Sequence, residues 1–166
     1  EPSRLPQAEG KENTMNHLVI RAYQPADWHE IERIHDAARK IELSLAGLSE
    51  AFLPLAIAVE REDLFAYHVC VAVFQGAVAG FAAYSEDELA WLYVDPAHMR
   101  RGIGRSLVQY VMDHTGQRPL CIEVLQGNEP ALQLYRSMGF ETVETVSGHM
   151  PGNEAFPVCV HCMQLL

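Results

Sequence analysis

The stretch Leu89-Ala-Trp-Leu-Tyr-Val-Asp-Pro-Ala-His-Met-Arg-Arg-Gly-Ile-Gly-Arg-Ser-Leu-Val-Gln-Tyr-Val-Met112 decides the fold. Its first six residues are apolar, and Asp95-Pro96 ends them, because proline cannot donate a hydrogen bond to a β-ladder. The next apolar residues recur at the spacing of one helix face: Ile103, Leu107, Val108, Val111 and Met112. The stretch therefore predicts a strand, a basic turn, and a helix that begins near Gly102 and packs back on the strand.

The predicted turn combines glycine with positive charge. The first N–H groups of a helix have no partner within the helix, and the helix dipole adds partial positive charge at the same end. Gly102 and Gly104 carry no Cβ, so a bulky ligand can approach the backbone closely. Arg100, Arg101 and Arg105 add fixed charge. The turn therefore predicts a binding site for a phosphorylated ligand.

Two nucleotide-binding motifs do not fit this turn. A P-loop requires a lysine directly after its last glycine, and Arg105 follows Gly104. A dinucleotide fingerprint requires a third glycine where this chain has Leu107. A basic strand-to-helix turn that binds no ligand remains the alternative from the turn alone.

The stretch from Val94 to Leu107, Val-Asp-Pro-x-x-x-Arg-Arg-Gly-Ile-Gly-Arg-Ser-Leu, resembles the loop that binds the acetyl-CoA pyrophosphate in GNAT N-acetyltransferases. Downstream, Ile122-Glu-Val-Leu-Gln-Gly-Asn128 and Ala131-Leu-Gln-Leu-Tyr-Arg-Ser-Met-Gly-Phe140 resemble the next strand and helix of that superfamily. Met99 stands where the family usually has glutamine or arginine. This difference removes a possible side-chain contact and leaves the backbone amides.

The resemblance runs from about His17 to the C-terminus and implies a fold, a cosubstrate and a set of contacts. The implied fold is α/β (α+β): a mixed, largely antiparallel sheet of six or seven strands, about four flanking helices, and a central parallel strand pair that splays apart. Acetyl-CoA is the implied cosubstrate, and no metal is expected. The implied cofactor-binding residues are Leu92, Tyr93, Val94, Arg100, Arg101, Gly102, Ile103, Gly104, Arg105, Ser106 and Asn128.

The resemblance also implies a general acid, Tyr135, in register seven residues after Asn128. A phenol has a reference pKa of about 10 and can give a proton to a departing thiolate. A tyrosine on an amphipathic helix is otherwise commonly a core residue with a tethered hydroxyl. Asn128 is a plausible N-cap of that helix as well as a cofactor contact.

Glu123 is the candidate base. A carboxylate in an otherwise apolar strand is costly to bury unless it is paired or used, and desolvation raises its pKa. In the GNAT branch that acetylates protein N-terminal amines, a glutamate at this register is the base. An ion pair of Glu123 with Arg118 or Arg136 is the structural alternative, and the rival bases are His149, His161 and Glu88.

Length and composition predict one domain. The chain has 166 residues and 49% hydrophobic residues, which suits a single domain with its own core. We expect residues 1–14 to be a disordered tail, native or left from cloning, and residues 15–166 to be the domain. No signal peptide or transmembrane-length apolar run is apparent, so we expect a cytoplasmic protein, with a homodimer as one possible state.

The net charge of −10 argues against nucleic acid and anionic membranes as partners and is compatible with a cationic amine acceptor.

The four cysteines lie in apolar, strand-like stretches, where free cysteine behaves as a small buried hydrophobe. Cys159-Val-His-Cys162 has the spacing of half a zinc site, but the second pair is missing. A cysteine nucleophile is conceivable, although no histidine is evidently placed beside a thiol.

The remaining sequence supplies the acceptor region and the last strands. Pro54 predicts the start of a short helix within residues 47–66, a region that borders the acceptor site in GNAT enzymes. We expect final strands at 140–146 and 157–165, joined by a loop over 147–154.

The predicted function is direct transfer of an acetyl group from acetyl-CoA to a primary amine of a small molecule. The alternatives are a protein or peptide N-terminal acetyltransferase and a regulatory CoA-binding module without turnover.

Overall fold

A computed structural model describes residues 17–166, and the predicted tail over residues 1–14 lies outside the described residues. The strands are β1 (Leu18–Ala22), β2 (His68–Phe74), β3 (Ala77–Tyr84), β4 (Leu89–Val94), β5 (Leu120–Leu125), β6 (Glu141–Met150) and β7 (Asn153–Leu165). The helices longer than one turn are α1 (Trp28–Leu45), α2 (Leu55–Arg61), α3 (Ile103–His114) and α4 (Glu129–Ser137). Among residues 17–166, no helix combines the length and apolarity of a membrane span.

The strands form two antiparallel sheets that meet at one point. The first sheet has the order β1-β2-β3-β4, and the second has the order β5-β7-β6. A single parallel bridge joins Glu88 to Cys121, where the Cys121 N–H donates to the Asp87 carbonyl at 2.8 Å. Beyond this bridge, no ladder joins β4 to β5 in the described part of the chain. The predicted mixed fold and its splayed parallel strand pair are therefore confirmed.

Each face of the first sheet is covered by helices. Because successive side chains of a strand point to opposite faces, Phe81 packs with Ile31 and Ile34 of α1, while Ala82 packs with the α3 cluster that includes Leu107. Apolar helix stripes therefore hold β4 between α1 and α3, and this packing fixes the position of the turn that starts α3.

The C-terminal hairpin is longer than its sequence suggests. The loop predicted over 147–154 is wrong: β6 and β7 remain paired to Met150 and Asn153, and only Pro151-Gly152 turns the chain. A register shift between His149 and Met150 absorbs the irregular residues, and Gly152 adopts φ +74° at the turn. Glycine and proline in this segment therefore mark a bulged ladder and a tight turn.

Gly127 fixes the turn between β5 and α4. Its φ is +100°, and an added Cβ would lie 2.6 Å from the Leu45 carbonyl oxygen and 3.2 Å from the Ala46 Cα. Only glycine combines this left-handed conformation with such a close approach of backbone to backbone. The residue therefore packs the start of α4 against the end of α1.

We expect Gly127→Ala to lower the free energy of unfolding by about 1–3 kcal/mol, because it adds backbone strain and a backbone clash. Gly148→Ala is the matched control, since Gly148 has no heavy atom within 4 Å of its virtual Cβ and its φ is not positive. We expect the control to change the free energy by about 0.5 kcal/mol or less. Urea unfolding of both variants measures the difference, and equal losses would contradict this account of the turn.

Candidate functional site

A groove of about 450 Å³ lies where β4 meets the start of α3 and the face of α4. We call it the α3 groove. The residues predicted to bind the cofactor that line it are Leu92, Tyr93, Val94, Arg100, Gly102, Ile103, Gly104, Arg105 and Asn128. The structure therefore brings together nine side chains or backbone segments that the sequence places in two separate motifs.

The start of α3 has the features of an anion site. Gly102 is the N-cap with φ +76°, and the Ser106 N–H donates to its carbonyl at 3.0 Å. The N–H groups of residues 103–105 belong to the first turn, so no carbonyl of the helix is available to them. A Cβ on Gly104 would contact Leu134 of α4 at 3.4 Å. Glycine therefore keeps the floor of the groove open between α3 and α4.

Two of the predicted cofactor-binding residues lie outside the α3 groove. Arg101 and Ser106 do not line the α3 groove, although Arg100 and Arg105 do. The Ser106 N–H is already used within the helix, so this group is not free to donate to a ligand. The Arg105 guanidinium donates to the Ser137 hydroxyl at 2.7 Å, which ties α3 to α4 beside the groove.

A second cavity, of about 270 Å³, opens on the other side of the separated strands. We call it the splay cavity. The two spaces share the residues Glu42, Leu92, Tyr93, Asn128 and Ala131. A ligand in the α3 groove can therefore reach a second ligand in the splay cavity through the gap between β4 and β5.

Tyr135 and Asn128 lie at this junction. Tyr135 lines the splay cavity with only 3% of its surface exposed, and burial raises the pKa of its phenol. Its hydroxyl has no hydrogen-bond partner within residues 17–166. Asn128 is the N-cap of α4, as predicted, and its side-chain oxygen accepts from the Ala131 N–H at 3.4 Å.

Glu123 also lines the splay cavity, but its surroundings differ from the expectation. The side chain is exposed, so the expected burial is wrong: its strand position points out of the sheet, while Ile122 and Val124 point into the core. In the described structure it forms no ion pair with Arg118 or Arg136. The Arg118 guanidinium instead donates to backbone carbonyls, including that of Met112 at 3.0 Å.

Of the three rival bases, only Glu88 lines the cavity. It is half-buried and accepts a hydrogen bond of 3.3 Å from the Tyr67 hydroxyl. Burial raises the pKa of Glu88, and the negative charge of Glu123 acts in the same direction. His149 and His161 line neither space, and the His161 ring lies 3.1 Å from the Thr145 hydroxyl.

Polar residues of α1 and the residue that follows α2 complete the cavity, and no motif in the sequence points to them. Arg39 pairs with Glu42, which also accepts a hydrogen bond of 3.4 Å from the Tyr93 hydroxyl. Burial raises the pKa of Glu62 and lowers that of His35. A three-residue spacing of Arg39 and Glu42 is typical of an exposed helix face, so no signal in the sequence distinguishes them from solvated side chains.

The comparisons with known proteins agree with this geometry. A family model described as an acetyltransferase (GNAT) domain matches residues 66–142, which include β4, the turn and α3. A GCN5-related N-acetyltransferase structure from Rhodopseudomonas palustris superimposes with a TM-score of 0.71 at 21% identity, over 89% of this chain and 94% of that chain. Residues 66–142 therefore match the GNAT acetyltransferase domain. The family resemblance inferred from the two motifs is therefore confirmed.

Other relatives of the GNAT domain differ in their acceptors. Peptidyl-lysine N-acetyltransferase YiaC of Escherichia coli is 40% identical over 70 residues, which are 42% of this chain and 47% of YiaC. N-alpha-acetyltransferase RimI of Mycobacterium tuberculosis is 38% identical over 76 residues, 41% of this chain and 48% of RimI. The alignments thus span about half the length of these relatives. YncA of Salmonella typhimurium, solved with its cofactor acetyl-CoA, gives a TM-score of 0.63 at 24% identity, with 90% and 94% coverage.

The four cysteines lie away from both spaces. None of the four lines the α3 groove or the splay cavity. Burial raises the pKa of the Cys70 thiol on β2 to about 11. Within residues 17–166, no group of three histidine, cysteine or acidic side chains is arranged to hold a metal. The structure therefore brings no thiol to the junction where an acetyl group would be transferred.

We expect iodoacetamide at pH 8 to leave Cys70 unmodified in the folded protein, because a thiol of pKa about 11 is only about one part in a thousand thiolate at that pH. The half-buried Cys121 is the internal comparison and should react faster. Peptide mass spectrometry with and without denaturant measures both rates. Labelling of Cys70 as fast as that of Cys121 would contradict its assignment as a core residue.

Proposed function

We propose that this chain is an N-acetyltransferase that moves an acetyl group from acetyl-CoA directly to a primary amine of a small molecule. One observation carries the proposal: the groove at the start of α3 and the cavity that contains Tyr135 meet at the gap between β4 and β5. Two substrates bound on opposite sides of the separated strands would contact each other only there.

The α3 groove suits the diphosphate and pantetheine parts of coenzyme A. The free amides of residues 103–105, with Arg100 and Arg105 beside them, are donors for a diphosphate. The backbone of Leu92–Val94 has no ladder partner on the side of β5, so a pantetheine arm can bind there like an added strand. Arg101 contributes long-range charge in this proposal.

Acetyl-CoA, when bound, supplies an acetyl group activated as a thioester. In the proposed reaction a neutral amine forms the new C–N bond, the C–S bond breaks, and Tyr135 gives its proton to the departing thiolate. The proton that the acylated nitrogen loses passes through water and restores the Tyr135 phenol. Burial keeps Tyr135 protonated at neutral pH, which is the state that a general acid requires. The unpartnered hydroxyl leaves this proton free to be donated.

Glu123 is the proposed base. Deprotonating an alkylammonium of pKa about 10.4 at pH 7 costs roughly 4–5 kcal/mol, so a base is important for such an acceptor. Glu123 lies at the cavity, two residues along β5 from the bridge at Cys121, and its exposure gives the accepted proton a path to water. Glu88 is the second candidate, because burial raises its pKa toward the useful range.

A protein or peptide N-terminal acetyltransferase is the second candidate function. Its support is the register of Glu123 and the similarity to RimI, whose name assigns it to N-terminal amines. The splay cavity, at about 270 Å³, favours a small acceptor over a polypeptide. Release of CoA from acetyl-CoA in the presence of small amines and of N-terminal peptides tests the proposal, and no release with any primary amine would contradict it.

We expect Arg100→Ala to weaken acetyl-CoA binding about tenfold, because a charge-assisted hydrogen bond to phosphate contributes roughly 1.5–3 kcal/mol. Arg101→Ala is the matched control: it removes the same charge from the neighbouring residue, which does not line the groove. We expect it to change the Kd no more than about twofold. Calorimetric titration of both variants measures the effect. Equal losses would contradict the placement of the diphosphate.

We expect Tyr135→Phe to lower kcat about 100-fold while the Kd for acetyl-CoA stays unchanged, because it removes a proton donor and no cofactor contact. Tyr23→Phe is the control, since Tyr23 packs on Phe65 outside both spaces. CoA release with saturating amine gives kcat. A Tyr135→Phe variant as active as the control would contradict a role for Tyr135 in catalysis. If the wild-type protein also released no CoA, a binding module without turnover would be favoured.

A further inference from the structure

Two half-buried carboxylates line the part of the splay cavity that lies away from the α3 groove. Glu62 follows α2 and Glu88 precedes β4, and neither lines the groove. Within residues 17–166, neither carboxylate belongs to an ion pair. Arg39, the cation near Glu62, is already paired with Glu42. Arg39 therefore offsets part of the Glu62 charge, whereas no cation in the described part of the chain acts on Glu88.

Tyr67 shares this acidic environment. Its hydroxyl donates to Glu88 at 3.3 Å. Its pKa is raised first by burial and then by the negative charges of Glu88, Asp63 and Glu62. Burial also raises the pKa of the Glu62 and Glu88 carboxyl groups. A cation bound beside these carboxylates would restore their charged forms and offset the cost of removing them from water.

Tyr135 offers an independent contact for a ligand in this cavity. The residue is 3% exposed and lines the cavity, and its hydroxyl has no partner in the described part of the chain. A ligand in the cavity can supply the hydrogen-bond partner that the protein does not. Apolar side chains line the same cavity, among them Leu89, Ile122 and Val124, and they suit a methylene chain.

We propose that the acceptor is a small diamine or oligoamine, with its reactive amine beside Tyr135 and a second, protonated amine held by Glu62 and Glu88. This inference rests on the proposed acetyl transfer and adds to it the class of acceptor. The volume of about 270 Å³ suits a short aliphatic chain with two amines. The overall charge of −10 attracts a dication more strongly than a monocation.

The test compares 1,4-diaminobutane with 1-aminobutane, which differ only in the second amine. We expect kcat/KM for the diamine to exceed that for the monoamine at least 30-fold, mainly through KM, because two partly desolvated carboxylates bind the ammonium. Glu62→Gln and Glu88→Gln should each lower the ratio of the two kcat/KM values about tenfold. Glu60→Gln, two residues from Glu62 and outside the cavity, should leave the ratio unchanged.

Other outcomes separate this inference from the proposed function. Equal use of the two amines, an unchanged ratio in both Glu62→Gln and Glu88→Gln, or preference for an N-terminal peptide would overturn the diamine inference and leave acetyl transfer intact. If none of the amines tested leads to release of CoA from acetyl-CoA, the proposed function would instead be overturned. In that case, calorimetric titration of 1,4-diaminobutane into CoA-loaded protein still tests the proposed ammonium site. Heat of binding would support the site, and no heat would overturn it.

Discussion

The absence of a β-ladder between β4 and β5 is the constraint on which the site depends. The two strands touch at the Glu88–Cys121 bridge and then separate, so the backbone of β4 is left without hydrogen-bond partners on one side. Unpaired backbone groups are costly inside a protein, and an extended ligand can satisfy them. The gap also joins the α3 groove to the splay cavity, which gives two substrates one meeting point.

Charge divides the site into two halves. The groove side has the positive end of α3 with Arg100 and Arg105, whereas the cavity side has Glu62, Glu88 and Glu123. Within residues 17–166, the one cation lining the cavity, Arg39, is paired with Glu42. In a chain with net charge −10, the basic turn is a local exception that suits a diphosphate. The acidic half suits amines, so the electrostatics direct each proposed substrate to its own side of the sheet. Packing of α1 and α3 against the first sheet keeps the two halves in place.

The sequence predicted the strand, turn and helix around Gly102, because apolar periodicity and glycine-rich turns are local signals. It also predicted Asn128 as an N-cap, whereas the splayed strands were expected only from the family resemblance. The acceptor end of the site was harder to predict from the sequence. Glu62 and Glu88 are distant along the chain and line one cavity only when α2 packs beside β4. The burial expected for Glu123 was wrong because an apolar strand at the edge of a gap still exposes one face.

Both proposed substrate positions depend on binding of the coenzyme A diphosphate by the first turn of α3. The backbone amide NMR spectrum of ¹⁵N-labelled protein during titration with acetyl-CoA tests this binding most directly. We expect the largest shifts at the amides of Ile103, Gly104 and Arg105, because these N–H groups have no partner within the helix. Saturable binding that leaves these three amides unshifted, or no binding at millimolar concentration, would contradict it.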